Sequence, residues 1–205
     1  MLSLIYAVLP EQQRSKDGAV VRELFEEGLD ALYIRRKLRP PDMDYWRANI
    51  PEEYQSRLIW PADCLAWHMP FNNGRFHFKE SEYLGNDAYL RLPKLAEKYT
   101  LSTSVHSADS FAALGGAFDA VFISPVFASL SKSNYPAMPS EERLCILKQS
   151  NRAKRIALGG IALPRLQYEM DVLRDFDGIA LHSALWDAND TLAYFKGIKA
   201  LWQNR

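Results

Sequence analysis

Several short polar or glycine-rich clusters in this chain each follow an apolar run. Ser104-Val105-His106-Ser107 sets an imidazole among hydroxyls. An imidazole titrates near neutrality, so it can take a proton from a substrate and return it. Ser124-Pro125-Val126-Phe127 leads into Ser129, Ser131 and Lys132. Two hydroxyls and one ammonium suit phosphate or carboxylate oxygens. Gly159-Gly160 lets the backbone approach a ligand and point N–H groups at it. His182-Ser183-Ala184 adds further N–H groups at a helix start. Arg35-Arg36-Lys37 closes an earlier apolar run. Strand side chains alternate, so Arg35 and Lys37 are expected to share a face. An inward Arg35 suits bidentate pairing with a carboxylate, and Arg36 then pairs with an acid in the outer ring. Each cluster also has an ordinary reading: a structural histidine, a solvated loop, surface charge or a plain turn.

Eight apolar runs must position these groups. They are Leu4–Leu9, Ala31–Arg35, Arg57–Trp60, Arg75–Phe78, Leu101–Val105, Ala120–Ser124, Arg155–Leu158 and Gly178–Leu181. Helical segments separate them. Val20, Val21, Leu24 and Phe25 form an apolar stripe with Arg22, Glu23, Glu26 and Glu27 facing away, and Gly28 ends that helix. Phe111 to Leu114 lies on a short helix that stops at Gly115-Gly116, Leu163-Pro164 opens another, and Leu192 to Trp202 forms the last.

Alternating strands and helices build a closed barrel or an open doubly wound sheet. An open sheet of the dinucleotide-binding type carries its glycines at the first strand-to-helix turn. Here that turn is Pro10-Glu11-Gln12-Gln13, and the glycine pair comes after the seventh strand instead. That placement fits the phosphate site of a (β/α)8 TIM barrel, built from the loops after strands seven and eight. The expected fold is one compact α/β barrel over residues 1–205, with short third and fourth helices.

Composition narrows the function classes. Lys plus Arg and Asp plus Glu are 25 each in 205 residues, so net charge gives no reason to expect nucleic acid. Apolar content of 48% fits a globular chain. Cys64 and Cys145 are far apart, without zinc-ligand spacing or a disulfide framework. Met1 to Leu9 is apolar but lacks a basic leader and meets Pro10, so it reads as a buried strand. No membrane association and a cytoplasmic location are expected. Homo-oligomerisation is left open.

Five patches together resemble the thiamine phosphate synthase/TenI family of barrels. They are Tyr33-Ile34-Arg35-Arg36-Lys37, Ser104-Val105-His106-Ser107, Pro125 through Lys132, Ala157-Leu158-Gly159-Gly160-Ile161, and Gly178 through Ala184. The resemblance spans nearly the whole chain. It implies a small-molecule thiazole phosphate as ligand, and one of two activities. The TenI type tautomerises a thiazole phosphate carboxylate with a histidine and no metal. The synthase joins a pyrimidine diphosphate to the thiazole phosphate, releasing pyrophosphate with magnesium.

In the resemblance, His106 is the proton shuttle, and Lys132 is catalytic or binds pyrophosphate. Arg35, Lys37, Ser129 and Ser131 bind substrate. Gly159, Gly160, His182 and Ser183 bind phosphate.

The chain departs from the synthase pattern at the second-strand glutamine, here Tyr33, and at the third-strand Asn-Asp pair, replaced by Trp60-Pro61-Ala62. Asp63 is near the first magnesium-ligand position and the second falls near Glu80–Glu82, with Asp63 or Glu82 as the possible substitutes. The expectation is therefore the tautomerase, with no metal or cofactor. The synthase with Mg2+ is the alternative, and a non-catalytic phosphate-ligand-binding barrel a further one. His77 matches a strand-four histidine of the pattern and is read as core. His68 is weaker still. Trp46, Trp60, Trp67 and Trp186 are read as packing, with Trp60 also a candidate pocket floor.

Overall fold

The computed structural model describes residues 3–12, 17–67, 74–83, 88–114, 116–129 and 136–205. The chain runs β1 (Leu4–Val8), α1 (Asp17–Glu26), β2 (Ala31–Tyr33), α2 (Pro40–Asn49), α3 (Glu52–Gln55) and β3 (Leu58–Pro61). A 3-10 segment, Ala62–Trp67, leads to β4 (Arg75–Phe78). Then follow α4 (Glu80–Tyr83), α5 (Ala88–Ala96), β5 (Thr100–Val105), α6 (Ala108–Ala112), β6 (Ala120–Ile123), α7 (Ser140–Lys148) and β7 (Lys154–Leu158). After α8 (Leu163–Tyr168) and a 3-10 turn, Met170–Leu173, come β8 (Gly178–Leu181), α9 (Ser183–Trp186) and α10 (Thr191–Gln203). The strands are parallel and pair in chain order, and β8 closes on β1 through Leu4↔Gly178 to Ala7↔Leu181. The expected (β/α)8 barrel is the fold, and each of the eight expected strand segments holds one strand.

Alternation along the strands sorts the side chains into two cores. Tyr6, Val8, Ala31, Tyr33, Ile59, Ala120, Phe122, Ile156 and Ala180 fill the barrel interior. Their neighbours, such as Ile5, Leu32, Phe76, Val121 and Ile179, point outward against the helices. Trp60 belongs to that outer core, so it does not floor the pocket. Trp46 and Trp186 pack in the outer core as expected. The Trp186 indole N–H donates to the Val8 carbonyl at 2.7 Å and that of Trp202 to Leu4 at 3.1 Å. These bonds tie α9 and α10 to β1.

Helix ends follow local chemistry. Gly28, just beyond α1, has φ +102°, which glycine adopts without Cβ strain. Pro164 sits in the first turn of α8, where its missing N–H has no helical partner to lose. Asp190 caps α10 by accepting from the Ala193 N–H at 2.9 Å.

A device repeats at the bottom of the barrel. Asp30 accepts the Ile5 N–H at 2.7 Å and donates its own N–H to the Ile5 carbonyl at 2.9 Å. Asp119 does the same with Leu101, at 2.9 and 2.8 Å. Asp177 does so with Arg155, at 2.8 and 2.9 Å. Each clamp ties the start of one strand to the residue just before the next. Its signature is a buried apolar residue, Asp, a small residue, then a strand: Leu29-Asp30-Ala31, Phe118-Asp119-Ala120 and Phe176-Asp177-Gly178. Strand spotting alone overlooks this internal repeat. Asp177→Ala is expected to lower the unfolding free energy by about 1–2 kcal/mol, the scale of one lost charge-assisted bond to a part-buried N–H. Urea unfolding at unchanged m-value measures this. An unchanged midpoint would show that the clamp contributes nothing.

Candidate active site

At the C-terminal end of the strands lies a cavity of about 480 Å³, lined by residues from every strand except β3 and from the loops after them. Inward alternation carries straight into its wall. On β2 the inward series is Ala31, Tyr33, then Arg35; on β4, His77 then Lys79; on β5, Ser104 then His106. Phe122 and Ser124 continue β6, Leu158 and Gly160 continue β7, and Ala180 and His182 continue β8.

The glycine pair is built into this wall. Gly159 and Gly160 have φ +97° and +65°. A Cβ on Gly159 would stand 2.8 Å from Pro125 Cα, and one on Gly160 2.5 Å from the Ala128 carbonyl oxygen. Both conformation and space therefore demand glycine. The Val126 and Phe127 N–H groups donate to the Leu158 and Gly159 carbonyls at 2.9 and 3.1 Å, locking the two loops together. Ser183 and Ala184 complete this side of the wall. First-turn N–H groups of a helix lack a carbonyl partner in their own helix.

His106 is exposed to the cavity, and its Nδ1 lies 2.7 Å from the Ser124 carbonyl oxygen. A carbonyl only accepts, so Nδ1 carries the proton and Nε2 of the neutral ring keeps its lone pair. The structural-histidine reading and the proton-shuttle reading are thus compatible, because one nitrogen anchors while the other stays available. The turn that holds the ring is itself fixed. Ser107 caps α6 by accepting from the Ser110 N–H at 3.1 Å, and Glu142 of α7 accepts the Ala108 N–H at 2.5 Å.

The cavity also has cations in its wall. Arg35 and Lys79 both line the cavity. Their ion pairs, Arg35 with Glu11 at 3.5 Å and Lys79 with Glu82 at 3.6 Å, involve largely exposed cations and compete weakly with a bound anion. Arg36 faces the other way. It donates to Asp17 at 2.6 Å and to the Pro10 and Gln12 carbonyls at 2.7 and 2.8 Å, the side chains of Arg36 and Asp17 only 6% and 3% exposed. The outer-ring acid expected for Arg36 is Asp17. Lys37 is exposed and does not line the cavity, contrary to the expected shared face. The strand ends at Tyr33, and the Arg35 and Arg36 N–H groups fold back onto the Tyr33 and Ile34 carbonyls, so alternation no longer applies at Lys37.

Ser129 lines the cavity, whereas Ser131 and Lys132 lie outside the described residues, as do His68 and Gly115. Lys79, Glu80 and Ser81 are wall residues outside the five patches, and Ser104 is a patch residue to which the resemblance gave no role. Extending each strand's inward parity by one step finds Lys79 and Ser104.

Among the described residues, the two carboxylates nearest the magnesium positions of the synthase pattern do not line the cavity. Asp63 is exposed outside the cavity wall. Glu82 accepts the Lys79 N–H at 2.7 Å and pairs with the Lys79 ammonium, capping its own helix. Glu80 is the carboxylate that lines the cavity among the described residues. No group of three or more metal-ligating His, Cys, Asp or Glu side chains occurs among them.

The floor is His77, buried under Tyr33 and Phe122 with ring centroids 4.2 and 5.1 Å away. Burial first, then the charges of Arg35 and Lys79, hold its pKa down to about 3. Burial also pushes the Tyr33 phenol well above its usual range. Both rings are therefore neutral at physiological pH.

No family model and no curated protein matches the chain. Solved structures do. A thiamine phosphate pyrophosphorylase from Bacteroides thetaiotaomicron is 22% identical, covers 98% of each chain and superposes with a TM-score of 0.69. One from Pyrococcus furiosus is 18% identical over 98% of this chain and 96% of that one, with TM-score 0.74. A (S)-3-O-geranylgeranylglyceryl phosphate synthase from Thermoplasma acidophilum, in complex with its substrate sn-glycerol-1-phosphate, is 12% identical over 100% and 94%, with TM-score 0.67. At these identities the likeness establishes the fold. No helix among the described residues is long and apolar enough to cross a membrane.

The depressed His77 pKa has a consequence for stability. The unfolded chain protonates this ring near pH 6.5 and the folded one near 3, so the unfolded state binds the proton first as pH falls. The contribution of His77 to stability is complete above about pH 6.5. It is lost between there and about pH 3, at up to about 1.4 kcal/mol per pH unit. Urea unfolding from about pH 7 to about pH 4 should show a shallower pH slope for His77→Gln than for wild type. Equal slopes would mean that His77 titrates normally in the fold.

Proposed function

We propose that this chain acts on a thiazole phosphate, as a member of the thiamine phosphate synthase/TenI family, and that its reaction is the tautomerisation of a thiazole phosphate carboxylate. The observation that carries this reading is the pinned His106. With Nδ1–H held by the Ser124 carbonyl, Nε2 presents a lone pair at the cavity wall. A tautomerisation moves one proton from one substrate atom to another, so one base that accepts it and gives it back suffices. The electron pair left at the first atom shifts through the conjugated ring to the second, with no net oxidation.

The wall supplies the remaining parts. The backbone of Gly159 and Gly160 with the first turn of α9 would hold the phosphate, matching the barrel site after strands seven and eight. Arg35, with Lys79 beside it, would hold the carboxylate. In the closed ring β7 lies across from β3, the strand between Arg35 of β2 and Lys79 of β4, and His106 of β5 stands midway around one side. A ligand with an anionic group at each end is thereby stretched past the imidazole.

The synthase is the second reading, favoured by the likeness to the two pyrophosphorylase structures and by Glu80 in the wall. Asp63 and Glu82 do not line the cavity, so among the described residues the wall offers magnesium one carboxylate where the synthase pattern has two.

The test supplies the thiazole phosphate carboxylate without magnesium and follows its conversion. His106→Ala is expected to lower turnover by about 10²–10⁴-fold, with KM little changed. Full activity in the variant would place the proton transfer elsewhere. Thiamine phosphate formed from pyrimidine diphosphate and thiazole phosphate with magnesium, with no tautomerisation, would replace this reading by the synthase.

A further inference from the structure

The Ser124 carbonyl aims the ring of His106, but the backbone that carries the ring must be held as well. Between Val105, the last residue of β5, and Ala108, the first of α6, stand only His106 and Ser107. The barrel fixes this turn at Val105, whose carbonyl accepts the Ser124 N–H at 3.2 Å. At the other end α6 needs an outside partner. A first-turn N–H has no carbonyl in its own helix, and the Ser107 cap accepts from Ser110, not from Ala108. The Ala108 N–H donates instead to the half-buried Glu142 carboxylate at 2.5 Å. The Ala108 carbonyl accepts from the Gln149 side-chain amide at 3.2 Å. Side chains of α7 thus take both backbone groups of one residue.

α7 is a firm support for this grip. Just before its start, Met138 is buried and its N–H donates to the Pro125 carbonyl at 2.7 Å. At its end, the Gln149 carbonyl accepts from the Arg155 guanidinium of β7 at 2.6 Å. Pro125 directly follows Ser124, the residue that holds the imidazole. The chain after β6 therefore grips the His106 turn twice. Ser124 takes the ring, and Glu142 with Gln149 takes the backbone two residues on. A carboxylate is the stronger of the two α7 partners, because a charge-assisted bond exceeds a neutral one.

We infer that Glu142 is a positioning residue for His106. By fixing Ala108 it keeps Nδ1–H on the Ser124 carbonyl, and so keeps Nε2 as the unprotonated nitrogen. Glu142 does not line the cavity, so it acts through the turn and not on a ligand. The competing account makes Glu142 a plain staple between α6 and α7, which adds stability and leaves the ring alone. Asp177 separates the two accounts. Its carboxylate accepts a strand N–H at 2.8 Å in the same manner, but at the other end of the barrel. Losing that bond costs stability without touching the His106 turn.

Nitrogen NMR of the 15N-histidine-labelled, unliganded protein tests this at about pH 9, above the range in which an imidazole ordinarily titrates. The signals lost in His106→Gln are those of His106. Wild type is expected in the Nδ1–H form. Glu142→Ala should shift the ring toward Nε2–H, the form an unanchored imidazole prefers. Glu142→Gln keeps an acceptor oxygen and should restore the wild-type ratio. Glu142→Asp, whose carboxylate falls a methylene short, should behave as Glu142→Ala does and replaces it if that variant does not fold. Asp177→Ala should leave His106 unmoved. A wild-type ratio in folded Glu142→Ala or Glu142→Asp, no rescue by glutamine, or an equal shift in Asp177→Ala would each overturn the inference. A second arm rests on the tautomerase reading: Glu142→Ala should lower kcat by roughly tenfold or more with KM little changed. A shifted tautomer in a protein whose wild type shows no tautomerase turnover would fail that reading and leave the positioning role standing.

Discussion

The cavity depends on one constraint: a closed ring of parallel strands admits only every second side chain to its interior. Each strand therefore delivers a short vertical series. Tyr33 leads to Arg35, His77 to Lys79, Ser104 to His106, and Leu158 to Gly160. Lower positions in the ring are apolar, with Ala31, Ile59, Ala120 and Ile156 packing the interior. Polarity rises toward the strand ends, where the chain leaves the ladder. Chemistry gathers at that rim because only there does the inward face meet solvent and loops.

The same constraint explains the division of labour between adjacent arginines. Arg35 keeps the inward parity of β2 and reaches the cavity, while Arg36 points outward and is buried against Asp17. One step of the chain separates a cavity-facing cation from a structural one. His77 and His106 are divided in a similar way by environment. His77 is enclosed by Tyr33 and Phe122 and held neutral, whereas His106 is exposed at the rim with one nitrogen anchored on Ser124. Two histidines in one cavity thus have separate environments, one buried and held neutral, the other at the rim with one nitrogen anchored.

Much of this was legible in the sequence, because strand patterning and glycine placement are local signals. All eight strands, the Gly28 helix end and the proline at the start of α8 follow from residue type and spacing. The glycine pair declares itself, since Gly159 and Gly160 occupy conformations and spaces that a Cβ would not fit. What failed depends on where the backbone stops being a strand. Lys37 lost its inward face because β2 ends at Tyr33, and Trp60, an apolar residue at a strand end, takes the outer parity. The Asp30, Asp119 and Asp177 clamps were hidden because each bonds to a strand about twenty residues earlier. The contacts of His77 with Ser102 and Ser104 were hidden because they arise only through the pairing of β4 with β5.

In the proposed function the cavity holds a phosphate over β7 and β8, with the rest of the ligand extending past His106 toward Arg35. A crystal structure of the complex with thiazole phosphate tests this most directly. Phosphate oxygens are expected on backbone N–H groups of Gly160 and Ser183, and the ring within reach of His106 Nε2. Phosphate seated on Arg35 and Lys79, with the Gly159-Gly160 turn untouched, would reverse the ligand in the cavity and contradict the account.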